Sequence, residues 1–143
     1  ERKKLEKLLK KSGLENNVKF LCGIPNEQIS EYLAKADVFV RPSRSEGLGT
    51  AFLEAMACGV PVIATPVGGI PDFLKDEETG LFSEVEDPND LAEKIALILS
   101  DESLRNKMIE NAKKLVEQKY NWDVIAGEMK KIYDQIVHCY SGI

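Results

Sequence analysis

Apolar residues fall along this chain in two alternating rhythms, short continuous runs and longer stretches with a single apolar face. Arg2 to Ser12 place Leu5, Leu8 and Leu9 at helical spacing among lysines, and Gly13 follows as a C-cap would. That helix reads as a crossover helix with its basic face in water, or as one lying on a membrane surface. Val18 to Leu21 (VKFL) is a first strand run, followed by the loop Cys22-Gly23-Ile24-Pro25-Asn26. Asn26, backed by Glu27 and Gln28, reads as the N-cap of a helix whose inner face holds Ile29, Leu33 and Ala36. Val38 to Arg41 is a second strand, unbroken in its apolar run as strands covered on both faces are. A helix from about Gly49 to Cys58 is stopped by Gly59 and Pro61. A third strand, Val62 to Thr65, leads to a short helix around Asp72 to Lys75 and a fourth strand at Leu81-Phe82. Asp87-Pro88 opens an amphipathic helix with Leu91, Ile95, Ile98 and Leu99 inward. Two last helices, Asp101 to Tyr120 and Trp122 to His138, meet at Asn121, which caps the second.

Alternation of strand and helix predicts an α/β fold, a Rossmann-like parallel sheet flanked by helices with right-handed crossovers and ending in C-terminal helices. Four strands are fewer than a complete doubly wound domain carries, so the sheet is expected to be truncated. Residues 1–143 contain no repeat or low-complexity linker and read as one domain. The opening ERKKLEKLLKK enters a helix directly, as if an earlier strand had been cut away.

Composition narrows the function classes. With 43% hydrophobic and 30% charged residues the chain is an ordinary globular protein. A net charge of −5 argues against a nucleic-acid partner, which needs a concentrated basic face. Cys22, Cys58 and Cys139 are odd in number and far apart, and read as buried free thiols of a reducing, cytoplasmic protein. His138 is the only histidine, which argues against a zinc centre or a histidine-based triad. No apolar run approaches a membrane span, and no signal peptide opens the chain.

The candidate chemistry gathers in the loops. Three strands end in Gly23-Ile24, in Pro42-Ser43-Arg44-Ser45-Glu46-Gly47 and in Pro66-Val67-Gly68-Gly69, and a parallel sheet brings such loops to one edge, where ligands bind. Gly47-Leu48-Gly49-Thr50 opens a helix, whose free amides and dipole favour a phosphate. The run fails the full dinucleotide fingerprint, and no GxxxxGK[ST] loop occurs, so a glycine-rich helix start without a ligand stays open. Glu54, eight positions after Glu46, lies in an otherwise apolar helix, either on its solvent face or aimed into a cleft. In a cleft its natural partners are vicinal hydroxyls, each charged hydrogen bond contributing about 1.5–3 kcal/mol. Glu46 stands beside the phosphate-binding turn, placed to accept sugar hydroxyls or to steady positive charge at a reacting carbon, with an ordinary loop glutamate as the alternative. Arg41 and Arg44 are candidates to neutralise a phosphate, although lone loop arginines seldom have so specific a role.

The run PSRSEGLGTAFLEAMACGVPVIATPVGGIPDFLKDEETGLF resembles the retaining nucleotide-sugar glycosyltransferases of the GT-B fold, the "group 1" or family four set. The likeness extends upstream through VKFLCG and DVFVRPS, and downstream through the Asp87-Pro88 and Asn121-Trp122 helix starts. It implies that Glu46 is catalytic, contacting the transferred sugar on its reacting face. It implies that Glu54 holds the ribose hydroxyls, that Gly47 and the amides of Leu48, Gly49 and Thr50 meet the diphosphate or sugar, that Ser43 belongs to the donor site, and that Gly23-Ile24 flanks the base. Transfer with anomeric retention, without a cofactor or essential metal, is implied too, and the chain has no Asp-x-Asp motif. A complete member also has an N-terminal acceptor domain and an early basic pair for the leaving diphosphate. Neither is here, since Arg2, Lys3 and Lys4 lie in a helix. The chain is therefore expected to be the later part of a donor-binding domain, inactive alone, with its acceptor domain as partner. Any membrane association, at the inner face, is expected only through the missing parts. Two other readings stay open: a non-catalytic nucleotide-sugar binding module or subunit, and a GT-B relative such as a sugar-nucleotide epimerase or a phosphorylase, the last without a context for its pyridoxal-binding lysine.

Overall fold

The computed structural model describes residues 1–140, with side chains to residue 138. Helix α1 (Arg2–Ser12) and α2 (Asn26–Leu33) precede strand β1 (Phe39–Arg41), α3 (Thr50–Ala57), β2 (Val62–Ala64), α4 (Ile70–Phe73) and β3 (Leu81–Phe82). Helices α5 (Pro88–Ser100) and α6 (Glu102–Leu115), a π-helical turn (Val116–Tyr120) and α7 (Trp122–Tyr140) complete the chain. The strands form one parallel sheet in the order β1-β2-β3, with Phe39 opposite Val62 and Ile63 opposite Leu81.

Side chains of a strand alternate between faces, and here each face has its own core. Val62 and Ala64 face Phe52, Met56, Ile70 and Phe73, while Ile63 and Leu81 face Ile98 and Met108. Burying each large side chain stabilises the fold by about 1.5–3 kcal/mol. Phe39, Phe52, Phe73 and Tyr120 form an aromatic series across the first face, with centroids 5.4, 6.1 and 6.3 Å apart. This series fixes α3 against the sheet and the π-helical turn beyond it. Its consequence is a rigid seat for the amino end of α3.

Several local expectations hold for the reasons given. Gly13 and Gly59 take left-handed conformations at the ends of α1 and α3, φ 68° and 75°. Asp87 caps α5, its carboxylate accepting from the Asn89 and Asp90 amides, and Asn121 accepts from the Asp123 amide at the start of α7.

Other expectations fail. Val18 to Leu21 forms no strand and, among the described residues, pairs with none, so the described sheet has three strands and not four. An apolar run becomes a strand only where a neighbour takes its hydrogen bonds, and among the described residues β1 is paired on one side alone. The run is instead held to α1, where Arg2 lies 5.4 Å over the Phe20 ring and donates to the Cys22 sulfur. The α1 leucines Leu5 and Leu8 are exposed, so among the described residues no core lies beneath their face. Cys22 is exposed rather than buried, Cys58 is half-buried, both are free thiols, and the Cys139 side chain lies outside the described residues. Pro25, not Asn26, occupies the N-cap of α2, because its extended backbone sets the entry angle, and α2 ends at Leu33 with Ala36 exposed. Helix α4 starts at Ile70, earlier than expected, with Pro71 in its first turn. Leu99 is exposed, and Leu97 takes its expected place beside Leu91 and Ile95 against the second core.

Candidate functional site

Arg41 ends β1, and the loop that follows is pinned from beneath by the loop after β2. The Thr65 hydroxyl donates to the Ser43 carbonyl, and the Gly69 amide donates to the Gly47 carbonyl at 3.0 Å. Gly68, at φ +58°, lies so close that a Cβ would overlap the Glu46 carbonyl oxygen. A Cβ on Gly69 would stand 2.7 Å from the Gly47 oxygen. Only glycine permits this approach of two backbones. Two of the three predicted loops therefore meet at the carboxyl edge of the sheet. In the first of the three, Gly23 is exposed with open space where a Cβ would stand, and Ile24 is half-buried.

The Glu46 side chain is 14% exposed. Its Oε2 accepts from the Arg41 guanidinium at 2.9 Å and from the Ser43 hydroxyl at 3.3 Å, and Oε1 faces the Gly47 amide at 3.3 Å. Gly49, the left-handed residue that caps α3, lies beneath it, since a Cβ there would meet Glu46 Cγ at 3.2 Å and the Phe52 ring at 2.8 Å. Glu46 thus lies across the entrance of α3.

At that entrance no described residue accepts a hydrogen bond from the amides of Leu48, Gly49, Thr50 or Ala51, and no side chain caps the helix. Unsatisfied amides at a helix start carry partial positive charge and suit an anion. Glu54 follows one turn on, about 6 Å along the axis from Thr50 at the usual helical rise. It is exposed, and among the described residues its carboxylate has neither hydrogen bond nor ion pair. Its carboxylate borders a hollow of about 340 Å³ lined by Asn26, Ile29 and Ser30 of α2 with Cys58. A second hollow, about 400 Å³, lies on its other flank between Thr50 and the aromatic pair Tyr120 and Trp122.

The predicted residues Ser43, Glu46, Gly47, Leu48, Gly49 and Thr50 thus form one continuous rim, with Glu54 above it. Sequence reasoning missed the Arg41–Glu46 ion pair, although a strand-terminal arginine and a glutamate spaced across a Pro-Ser turn are its visible signal. Arg44 pairs instead with Glu86, away from the helix entrance, and both side chains are largely in water. Among the described residues no group of three or more His, Cys, Asp or Glu side chains is placed to hold a metal ion. No helix of the described residues is long and apolar enough to cross a membrane.

Comparison with known proteins places this rim within a matched segment. The family model described as glycosyl transferases group 1 matches residues 1–115. An uncharacterized glycosyltransferase of Methanocaldococcus jannaschii is 36% identical over 134 residues, 94% of this chain and 38% of the relative. Sucrose-phosphate synthase from Thermosynechococcus elongatus superposes with a TM-score of 0.88 at 37% identity, over 96% of this chain and 35% of that one. Anabaena HepE in complex with UDP-glucose superposes with a TM-score of 0.80 at 28% identity, over 99% of this chain and 36% of that one. The chain spans a little over a third of the length of each of these proteins.

Proposed function

Since the chain belongs to the glycosyl transferases group 1 family, we propose that it is the donor-binding part of a longer enzyme that transfers a hexosyl unit from a nucleoside diphosphate sugar. The observation that carries this reading is the row of amides without acceptors at the start of α3, with Glu46 lying across that helix entrance and Glu54 one turn along the helix. The amides of Leu48, Gly49 and Thr50 take the diphosphate, where partial positive charge stabilises the leaving group. Glu54 accepts from the ribose hydroxyls, the hollow beside Asn26 leaves room for the base, and the Gly23-Ile24 loop flanks that base. Ser43 and Gly47 complete the turn, and Glu46 faces the transferred sugar, where a carboxylate stabilises positive charge developing at the anomeric carbon.

Transfer proceeds with retention of anomeric configuration and without a metal. In this reading the acceptor binds a second, N-terminal domain, and the basic groups that complete diphosphate binding lie upstream of α1. The full protein works in the cytoplasm, and any membrane contact is made by those other parts.

The test uses the chain joined to the polypeptide encoded upstream of it, titrated calorimetrically with UDP-, GDP- and ADP-sugars. One of them binds, and Glu54→Ala weakens that binding about 10²- to 10⁴-fold, as expected when two charge-assisted contacts of about 1.5–3 kcal/mol each are lost. Unchanged affinity in Glu54→Ala would show that this carboxylate is merely solvated and would overturn the site as drawn.

A further inference from the structure

Both side chains that contact the Glu46 carboxylate favour one of its two oxygens. Oε2 receives the Arg41 guanidinium at 2.9 Å and the Ser43 hydroxyl at 3.3 Å, whereas Oε1 has only the Gly47 amide at 3.3 Å, long for an N–H donor. We propose that Arg41 is a positioning residue for Glu46: its guanidinium holds Oε2 and so leaves Oε1 as the oxygen presented to the transferred sugar. This rests on the donor-site reading above.

The geometry suits the role. Arg41 is the last residue of β1 and is registered against Ala64 of β2, so its backbone is fixed by the sheet while Glu46 stands in the loop. The guanidinium is 48% exposed and the carboxylate 14%, which puts the pair at the wall of the cleft. A partly hydrated pair of this kind adds little to stability, and its effect is to select one orientation of a flexible side chain. Arginine suits this better than lysine, because a planar fork fixes direction where an ammonium fixes only distance. Arg44, three residues on, offers the natural control, since it pairs with Glu86 and not with Glu46.

The experiment is nuclear magnetic resonance on the chain joined to the polypeptide encoded upstream of it, carrying carbon-13 glutamate, unaltered and as Arg41→Met, Arg41→Lys and Arg44→Met. Each form is titrated with UDP against UDP-glucose and with GDP against GDP-mannose. Arg41→Met is expected to move the Glu46 side-chain carboxyl resonance and to lower the affinity for the sugar nucleotide, relative to its bare nucleotide, about tenfold. Arg41→Lys recovers part of that ratio, and Arg44→Met changes neither reading. An unmoved Glu46 resonance in Arg41→Met overturns the proposal, as does a ratio that stays the same. A ratio that rises overturns it too, by showing that Arg41 masks Glu46. If Arg41→Met does not fold, Arg41→Lys decides alone: a moved resonance with a lowered ratio supports the proposal, and native values of both overturn it. If no nucleotide or sugar nucleotide binds the unaltered joined protein while the Arg41→Met resonance still moves, the tether stands and the donor-site reading beneath it falls.

Discussion

The sharpest structural test concerns Gly68→Ala. Gly68 sits at φ +58°, and the new methyl group would overlap the Glu46 carbonyl oxygen, with the carbonyl carbon 2.9 Å away. Two costs add. A left-handed conformation costs an L-residue with a Cβ about 1–2 kcal/mol, and forcing an extra carbon into a closed backbone contact costs about 1–3 kcal/mol. The sum, about 2–5 kcal/mol, lowers the melting temperature of a domain this size by on the order of 10 °C. Gly59→Ala separates the two costs. Gly59 has φ +75°, but there the new methyl meets the Lys113 side-chain tip at 2.7 Å, which can swing away. Gly59→Ala should therefore show the conformational cost alone. Thermal unfolding followed by circular dichroism reads both variants. If Gly68→Ala melts within about 2 °C of Gly59→Ala, the contact between the two loops is not the constraint argued here, and the Glu46 loop is not held from beneath.

Two further outcomes bear on chemistry. In the full-length protein Glu46→Gln should abolish sugar transfer while the melting temperature and nucleotide affinity stay close to native, and turnover at the native rate in a product assay would remove Glu46 from the reaction. Because the proposed site stabilises the leaving diphosphate with amides and side chains, transfer should be insensitive to an excess of ethylenediaminetetraacetate. A loss of activity that Mg²⁺ or Mn²⁺ restores would refute the metal-independent reading.

Much of the fold was legible because its causes are local. Gly59-Val60-Pro61 ends a helix whatever surrounds it, and Asp87-Pro88 starts one, since each satisfies or removes a backbone group through its own covalent structure. The central strands were legible for a different reason: Val62 to Ala64 is buried on both faces, and only a parallel strand reads as an unbroken apolar run. The failures share a cause as well. Val18 to Leu21 has the composition of a strand, but pairing is a property of a partner, and its own residues cannot supply one. Leu99 was misplaced because Ile98 and Leu99 are adjacent on the helix, and which of them faces the core depends on where α6 packs. At the site, the Glu46 and Glu54 spacing was visible, but the ion pair to Arg41 was not. It depends on how a Pro-Ser turn folds back on the strand it leaves.

The two carboxylates differ in a way that matches the proposed division of labour. Glu46 is fixed before any ligand arrives, by a guanidinium, a hydroxyl and a loop clamped to its neighbour through Gly68 and Gly69. A charge that must meet a transient positive centre is most effective when it needs no rearrangement at the moment of reaction. The Glu54 carboxylate is exposed and, among the described residues, unpartnered. A ground-state ligand supplies its own ordering, because two hydroxyls that donate to one carboxylate return about 1.5–3 kcal/mol each and offset the water that is displaced. Fixing Glu54 in advance would gain affinity and nothing in the chemical step, since ribose contacts are equal in ground and transition states. If Glu46 acts as proposed, loosening it would be felt in the chemical step itself, and the residues that hold its loop include the buried Thr65 and the glycines Gly68 and Gly69, where a Cβ would meet backbone.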